Sequence, residues 1–233
     1  MYSIGLLFSF FFIYSVIGYI SEVISVYRNT HTIVFSRGYL IGPYLPIFGI
    51  GAVLMFSLLE PYKNDFIALF VLSLTVCCLL EYFTSLLMEK IFKLRWWDYS
   101  HKSFNINGRV CLENGVMFGL GGIIIVRFVH PILLKYFLSL SPLFVTIFGF
   151  SVGMIMFIDF LFSTYTIQQL KVDLNIFVEK DSTIRIKREI MKSLQRYYFF
   201  RKRLFKAFPN ILKNKTILEF FKLSEKNAED NLS

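Results

Sequence analysis

Long apolar runs alternate with short polar stretches along most of this chain, and five runs are of membrane-spanning length. They fall at about 3–26, 44–60, 66–90, 110–134 and 143–168. A helix rises about 1.5 Å per residue, so roughly 17–25 apolar residues carry the backbone across a bilayer. The pattern predicts an all-α polytopic membrane helix bundle of about five transmembrane helices over 1–168. Residues 169–233 are expected to form a separate cytoplasmic tail.

The second run is the shortest, and its start is irregular. Arg37 is followed by Gly38, Gly42, Pro43 and Pro46, then by Gly49 and Gly51. Glycine and proline at this density interrupt regular helix. Non-helical backbone survives at membrane depth only where protein or a water-filled cavity satisfies its polar groups. A broken or re-entrant lead-in is predicted here, with a simple loop and a kinked helix as the alternative. The first run has no basic region before it, and Glu22, Tyr27 and Arg28 stand where a cleavage site would be, so it is read as a retained anchor.

Charge between the runs orients the bundle. Arg28 and Arg37 lie in the first loop, and Lys90, Lys93, Arg95, Lys102 and Arg109 lie in or beside the third. The second loop sets Lys63 against Glu60 and Asp65, and the fourth holds only Lys135. An N-out, C-in arrangement follows from the excess of Lys and Arg in cytoplasmic loops.

Composition agrees with immersion in lipid: 55% of the 233 residues are hydrophobic, 28 are Phe, and 18% are charged. Mean hydropathy is +0.58. The net charge of +9 is mostly local, since 171–233 carry 15 Lys/Arg against 8 Asp/Glu. Between about 184 and 208, Ile186, Ile190, Leu194, Tyr197, Phe205 and Phe208 recur at helical spacing among basic residues. This predicts a basic amphipathic C-terminal helix that lies on anionic lipid headgroups. No nucleic-acid reader motif accompanies it. Cys77, Cys78 and Cys111 form no C-x-x-C pair, and His31, His101 and His130 lack ligand spacing, so neither disulfide, metal nor other cofactor is expected.

An ionisable residue inside a membrane segment costs about 2.5–3.5 kcal/mol on insertion scales, so it normally faces a partner or water. Glu22, Glu81, Glu89 and Asp159 all fall toward the cytoplasmic ends of their helices. Glu81 and Glu89, eight residues apart, are separated by about 12 Å in depth and about 80° around the helix, too far to share a proton. Arginine partners are expected from Arg37, Arg95 and Arg109. The third loop, Arg95-Trp96-Trp97-Asp98-Tyr99-Ser100 and then Phe104-Asn105-Ile106-Asn107-Gly108-Arg109, sets paired tryptophans beside charge. Trp96 and Trp97 read as interface anchors, whereas Asp98, Asn105 and Arg109 suit a polar cluster packed beneath the bundle.

The sharper reading joins Glu22, Arg37, Glu81, Glu89, Asp98 and Arg109 in one charged network lining a cytoplasm-facing cavity. The plainer one makes the same residues structural glue that sets helix register. Elsewhere, Gly115, Gly119, Gly121 and Gly122 read as close helix packing. Arg127 and His130 are expected to reach outward at the far end of the fourth span.

Four ordered motifs carry a family resemblance. They are Arg37-Gly38-x-x-x-Gly42-Pro43-x-x-Pro46-Ile47-x-Gly49, Leu80-Glu81-Tyr82-x-Thr84-Ser85 with Glu89, Arg95-Trp96-Trp97-Asp98-Tyr99-Ser100, and Phe104-Asn105-x-x-Gly108-Arg109-x-Cys111-Leu112. Together they resemble the putative type IV ABC-transporter permease family of bacterial integral membrane proteins, over roughly residues 5–165. Phe48 and Gly115 depart from the family's usual Tyr and Ser. The resemblance implies a multi-pass protein of the cell membrane associated with transport.

The chain lacks a G-x-x-x-x-G-K-[ST] phosphate loop, so a transporter built on it needs a separate ATPase subunit. Five spans are few for a complete pathway, which suggests a homodimer or such a partner. Two other classes stay open. One is an inner-leaflet enzyme acting on a lipid or lipid-linked substrate, with Glu81 or Asp98 as base and Arg37 or Arg109 holding a phosphate. The other is a non-catalytic scaffold. No catalytic motif is present, so an enzyme is the less favoured class.

Overall fold

The computed structural model describes residues 2–31, 38–92 and 95–178. Arg37, Lys93 and the predicted tail helix lie outside the described residues. Helix α1 spans Ile4–Thr30, α2 Pro46–Leu59, α3 Phe66–Phe92, α4 Leu112–Ile124, α5 His130–Ser139 and α6 Pro142–Val178. Two short strands, β1 (Asn105–Ile106) and β2 (Val110–Cys111), form an antiparallel hairpin between α3 and α4. α6 runs unbroken past residue 168, where the sequence pattern places the end of the bundle.

Local chemistry sets the helix ends. The Ser3 side chain accepts from the Leu6 amide at the start of α1, and His31 closes its end in the left-handed region at φ 52°. Asp65 accepts from the Ile67 and Ala68 amides to open α3, satisfying donors that a helix N-terminus leaves free. Proline opens α2 and α6, where its missing N–H costs nothing.

Pro131 has the opposite effect. It removes a backbone donor and crowds the carbonyl of residue 127, four positions back. That carbonyl lies within Ile125–Val129, which winds as a π-helical turn joining α4 to α5 in one span. The wider turn accommodates the proline without breaking the rod.

Among the described residues, four helices are long and apolar enough to cross a membrane: Ile4–Arg28, Phe66–Phe92, Leu112–Ser139 and Pro142–Gln169. The second predicted span is shorter. Its α-helix has 14 residues and tightens into a 3-10 turn at Glu60–Tyr62, so its regular part reaches only about 21 Å. The non-helical stretch 38–45 precedes it.

α1 packs between α2 and α6, α3 runs along α4, and α2 joins the two groups. Small residues allow these approaches. A Cβ on Gly149 would stand 2.0 Å from the Gly5 carbonyl oxygen, and one on Gly122 would stand 2.0 Å from Ser73 Oγ. Phe10, Phe56, Leu69 and Ile167 are almost fully enclosed, while Ile67, Ile132 and Leu143 are more than two-thirds exposed. Apolar side chains on the outside belong against lipid, and dispersion between close-packed helices supplies the internal contact.

Candidate functional site

The polar residues of the third loop gather against one end of α3. A three-residue turn, Asn107-Gly108-Arg109, connects β1 to β2. Asn107 and Gly108 adopt φ 52° and 66°, the left-handed conformation that Asn and Gly tolerate best. Asn105 Oδ1 accepts from the Gly108 amide at 2.9 Å, and the Asn105 side-chain amide donates to the Lys102 carbonyl at 2.8 Å. A Cβ on Gly108 would collide with Asp98 Oδ1 and Ser100 Oγ at 2.6 and 2.3 Å. Asn105 and Asp98 thus shape the loop, and Arg109 is the residue it delivers to the helix.

Arg109 Nη1 lies 2.7 Å from Glu89 Oε2 and donates to Ser85 Oγ at 3.2 Å. Trp97 Nε1 donates to the Arg109 carbonyl at 3.0 Å, holding its backbone. Arg95 reaches Glu89 at 3.8 Å and Asp98 at 3.4 Å. Four charges, Glu89, Arg95, Asp98 and Arg109, therefore form one ion-pair group.

Glu81 lies two turns further into the span on the same face as Ser85 and is 7% exposed. Among the described residues it makes no ion pair. The Tyr99 hydroxyl donates to its Oε1 at 3.2 Å, and Asn114 of α4 lies beside both groups. Burial, then the nearby Glu81 and Glu22 carboxylates, push the Tyr99 phenol well above its ordinary range, so it remains a donor. Glu22 contributes to this centre through its charge. Among the described residues the partners of Glu81 are neutral; Arg37 lies outside them.

Asp159 belongs elsewhere. Its carboxylate accepts from the amides of Ile41 and Gly42 at 2.9 and 2.8 Å, the Tyr44 hydroxyl at 2.7 Å and Ser163 at 3.0 Å. The Tyr44 hydroxyl is the donor in its bond to Asp159. The irregular stretch bearing Gly38, Gly42 and Pro43 is thus tied to α6. The Leu45 amide is bonded to the Ser15 carbonyl of α1 at 2.9 Å, just before Pro46 opens α2. Gly49 lets α2 approach Ser15 and Phe11 closely.

Three further placements differ from the sequence reading. Trp96, expected at the interface, is 4% exposed and packs between Phe92 at the end of α3 and Tyr39 of the irregular stretch before α2. His130, expected to reach outward, is 5% exposed and stacks on Phe56 with centroids 3.9 Å apart. Tyr2 and Tyr14 hydroxyls bond its two ring nitrogens at 3.1 and 3.3 Å. Arg127, expected at the far end of its span, lies near the middle of Leu112–Ser139, where it donates to the Lys63 carbonyl and lies over the Phe66 ring.

Sequence reasoning did not single out Tyr99, Ser85, Asn114 or Tyr44 as partners. The spacing of Glu81, Ser85 and Glu89, one helical turn apart, was the signal available for Ser85. The others depend on contacts between distant segments.

A family model described as putative ABC-transporter type IV matches residues 9–164. No curated protein and no solved structure matches the chain.

Proposed function

The chain belongs to the putative ABC-transporter type IV family, and from that premise we propose that it is the membrane-embedded permease component of a transporter in the cell membrane, with the hairpin end facing the cytoplasm. The observation that carries the proposal is Glu81. A carboxylate enclosed within an apolar span is costly, and among the described residues this one faces the neutral groups of Tyr99 and Asn114. In this reading Glu81 is the binding carboxylate of a polar site. The ion pairs of Glu89 with Arg95 and Arg109 hold the hairpin over that site's cytoplasmic side. Asp159 keeps the irregular backbone of 38–45 in place as the opposite wall.

Energy then comes from a separate subunit, because this sequence carries no phosphate-binding loop. The basic tail is assigned to anionic headgroups of the same leaflet. A homodimer would complete the pathway if the ATPase engages two copies.

The test is crosslinked affinity purification from native membranes of the wild type and Glu81→Gln, followed by identification of bound proteins and lipids. Recovery of an ATP-binding subunit with both chains, and loss of transport-coupled ATP hydrolysis in Glu81→Gln, is the expected result. A wild type that recovers no ATP-binding protein overturns the permease assignment. Recovery of only a specific lipid, lost in Glu81→Gln, would assign the site to lipid handling instead. A Glu81→Gln chain that is well assembled and fully active removes Glu81 from the site.

A further inference from the structure

At the end of the bundle opposite the hairpin, the α2 terminus, the α2 to α3 connection, α5 and the chain's first residues enclose a cleft of about 570 Å³, within the usual size range of small-molecule sites. Its walls are apolar: Phe56, Val126, Leu134 and Leu138. Its polar side chains come from Tyr2, Glu60, Lys63, His130, Lys135 and Ser139.

Hydrogen-bond accounting decides what those groups offer. Tyr14 is 2% exposed, and its hydroxyl has His130 Nδ1 as its hydrogen-bond partner among the described residues. A buried hydroxyl must donate somewhere, so the Tyr14 proton points at Nδ1. Neutral imidazole carries one N–H, which leaves the proton on Nε2, donating to the Tyr2 oxygen. The Tyr2 hydroxyl hydrogen is then directed away from the histidine. Burial and the Glu60 carboxylate hold this phenol above its ordinary range, so it stays a donor.

The charges point the same way. Glu60, the acid lining the cleft, is engaged by Lys63 at 3.5 Å. Lys135 makes no ion pair among the described residues. The polar lining therefore includes one uncompensated ammonium and one free hydroxyl donor, at the end of the bundle where the α4 to α5 span ends.

We infer that this cleft is a binding site for an amphipathic anion, a carboxylate or phosphate monoester on an apolar chain. The head is held by Lys135 and the Tyr2 hydroxyl, and the chain lies along Pro131, Leu134 and Leu138. The site is independent of the Glu81 centre. Such a molecule can come from the leaflet as an anionic lipid or from solution as a free amphiphile.

The test uses the full chain in phosphatidylcholine nanodiscs with a photoreactive dodecanoate, mapping the crosslinks by peptide mass spectrometry. Labelling is expected on α5 and the end of α2. Dodecyl phosphate should compete for it, whereas dodecyltrimethylammonium and inorganic phosphate should not. Lys135→Glu should cut labelling about tenfold, the size of one charge-assisted contact. Leu134→Trp should cut it by filling the cleft. Doping the discs with phosphatidylglycerol separates the sources: lost labelling assigns the site to leaflet lipid, and retained labelling assigns it to free amphiphile. Equal competition by the cation, labelling spread over lipid-facing positions such as Ile67, or unchanged labelling in a natively folded Lys135→Glu overturns the proposal. The competition arms on the wild type decide the matter even if a variant misfolds.

Discussion

Arg109 Nη1 lies 2.7 Å from Glu89 Oε2, joining a residue of the β-hairpin turn to the last turns of α3. The arginine side chain is 12% exposed and the glutamate 39%, so the pair is partly shielded from water and links two segments that nothing in their order along the chain would align.

Removing one partner strands the other in this setting. Arg109→Gln is expected to lower stability by about 1–3 kcal/mol, the lower side of the range for buried pairs because Glu89 remains half-exposed. Thermal unfolding of Arg109→Gln, Glu89→Gln and the double variant checks it. A double variant no more stable than the sum of the singles would show that the two residues do not act as a pair.

Asp159 accepts four hydrogen bonds, two of them from backbone amides of the irregular stretch. Asp159→Ala should release that stretch and destabilise the fold by about 2–4 kcal/mol, since bonds to a charged acceptor are each worth more than neutral ones. Hydrogen exchange is the direct readout: the Ile41 and Gly42 amides should exchange faster, and those in the middle of α3 should not.

Adjacent glycines of α4 should respond in opposite ways. A Cβ on Gly122 would overlap Ser73, while one on Gly121 meets nothing within 4 Å. Gly122→Ala should cost about 1–3 kcal/mol through overpacking. Gly121→Ala should be neutral or stabilising by up to about 1 kcal/mol through helix propensity. Denaturant unfolding in detergent compares them, and equal effects would contradict the α3 to α4 contact.

The Tyr99 phenol is raised above the ordinary 10.0 by burial and by the Glu81 and Glu22 carboxylates. For an acid whose folded value is raised, the folded state keeps its proton longer than the unfolded chain. The stability it contributes is complete below pH 10 and declines as pH rises from there toward the folded value. Tyr99→Phe should be less stable than wild type at neutral pH and should lose less on going above pH 10. Unfolding followed across that range measures the difference, and parallel curves would count against it.

The apolar runs and their lengths were legible in the sequence because a bilayer accepts only one common solution, the hydrogen-bonded helix of sufficient length. Those runs determined the membrane class, the positions of α1, α3, the α4 to α5 span and α6, and the irregular lead-in at Gly38, Gly42, Pro43 and Pro46. Residue types also marked Glu81, Glu89, Asp98, Arg109 and Asp159 as polar groups needing partners. Which partner each one found was decided by the tertiary structure. Asp159 lies more than a hundred residues from Gly42 in sequence, and the approach of α6 to the 38–45 segment brings the two together. His130 shows the same limit: its place near a helix end suggested water, but the π-turn before it and the packing of α1 and α2 enclose it between Tyr2, Tyr14 and Phe56. Periodicity specifies a helix and its length through interactions a few residues apart, whereas the pairing of buried polar groups depends on how the helices pack, and that is a property of the whole chain.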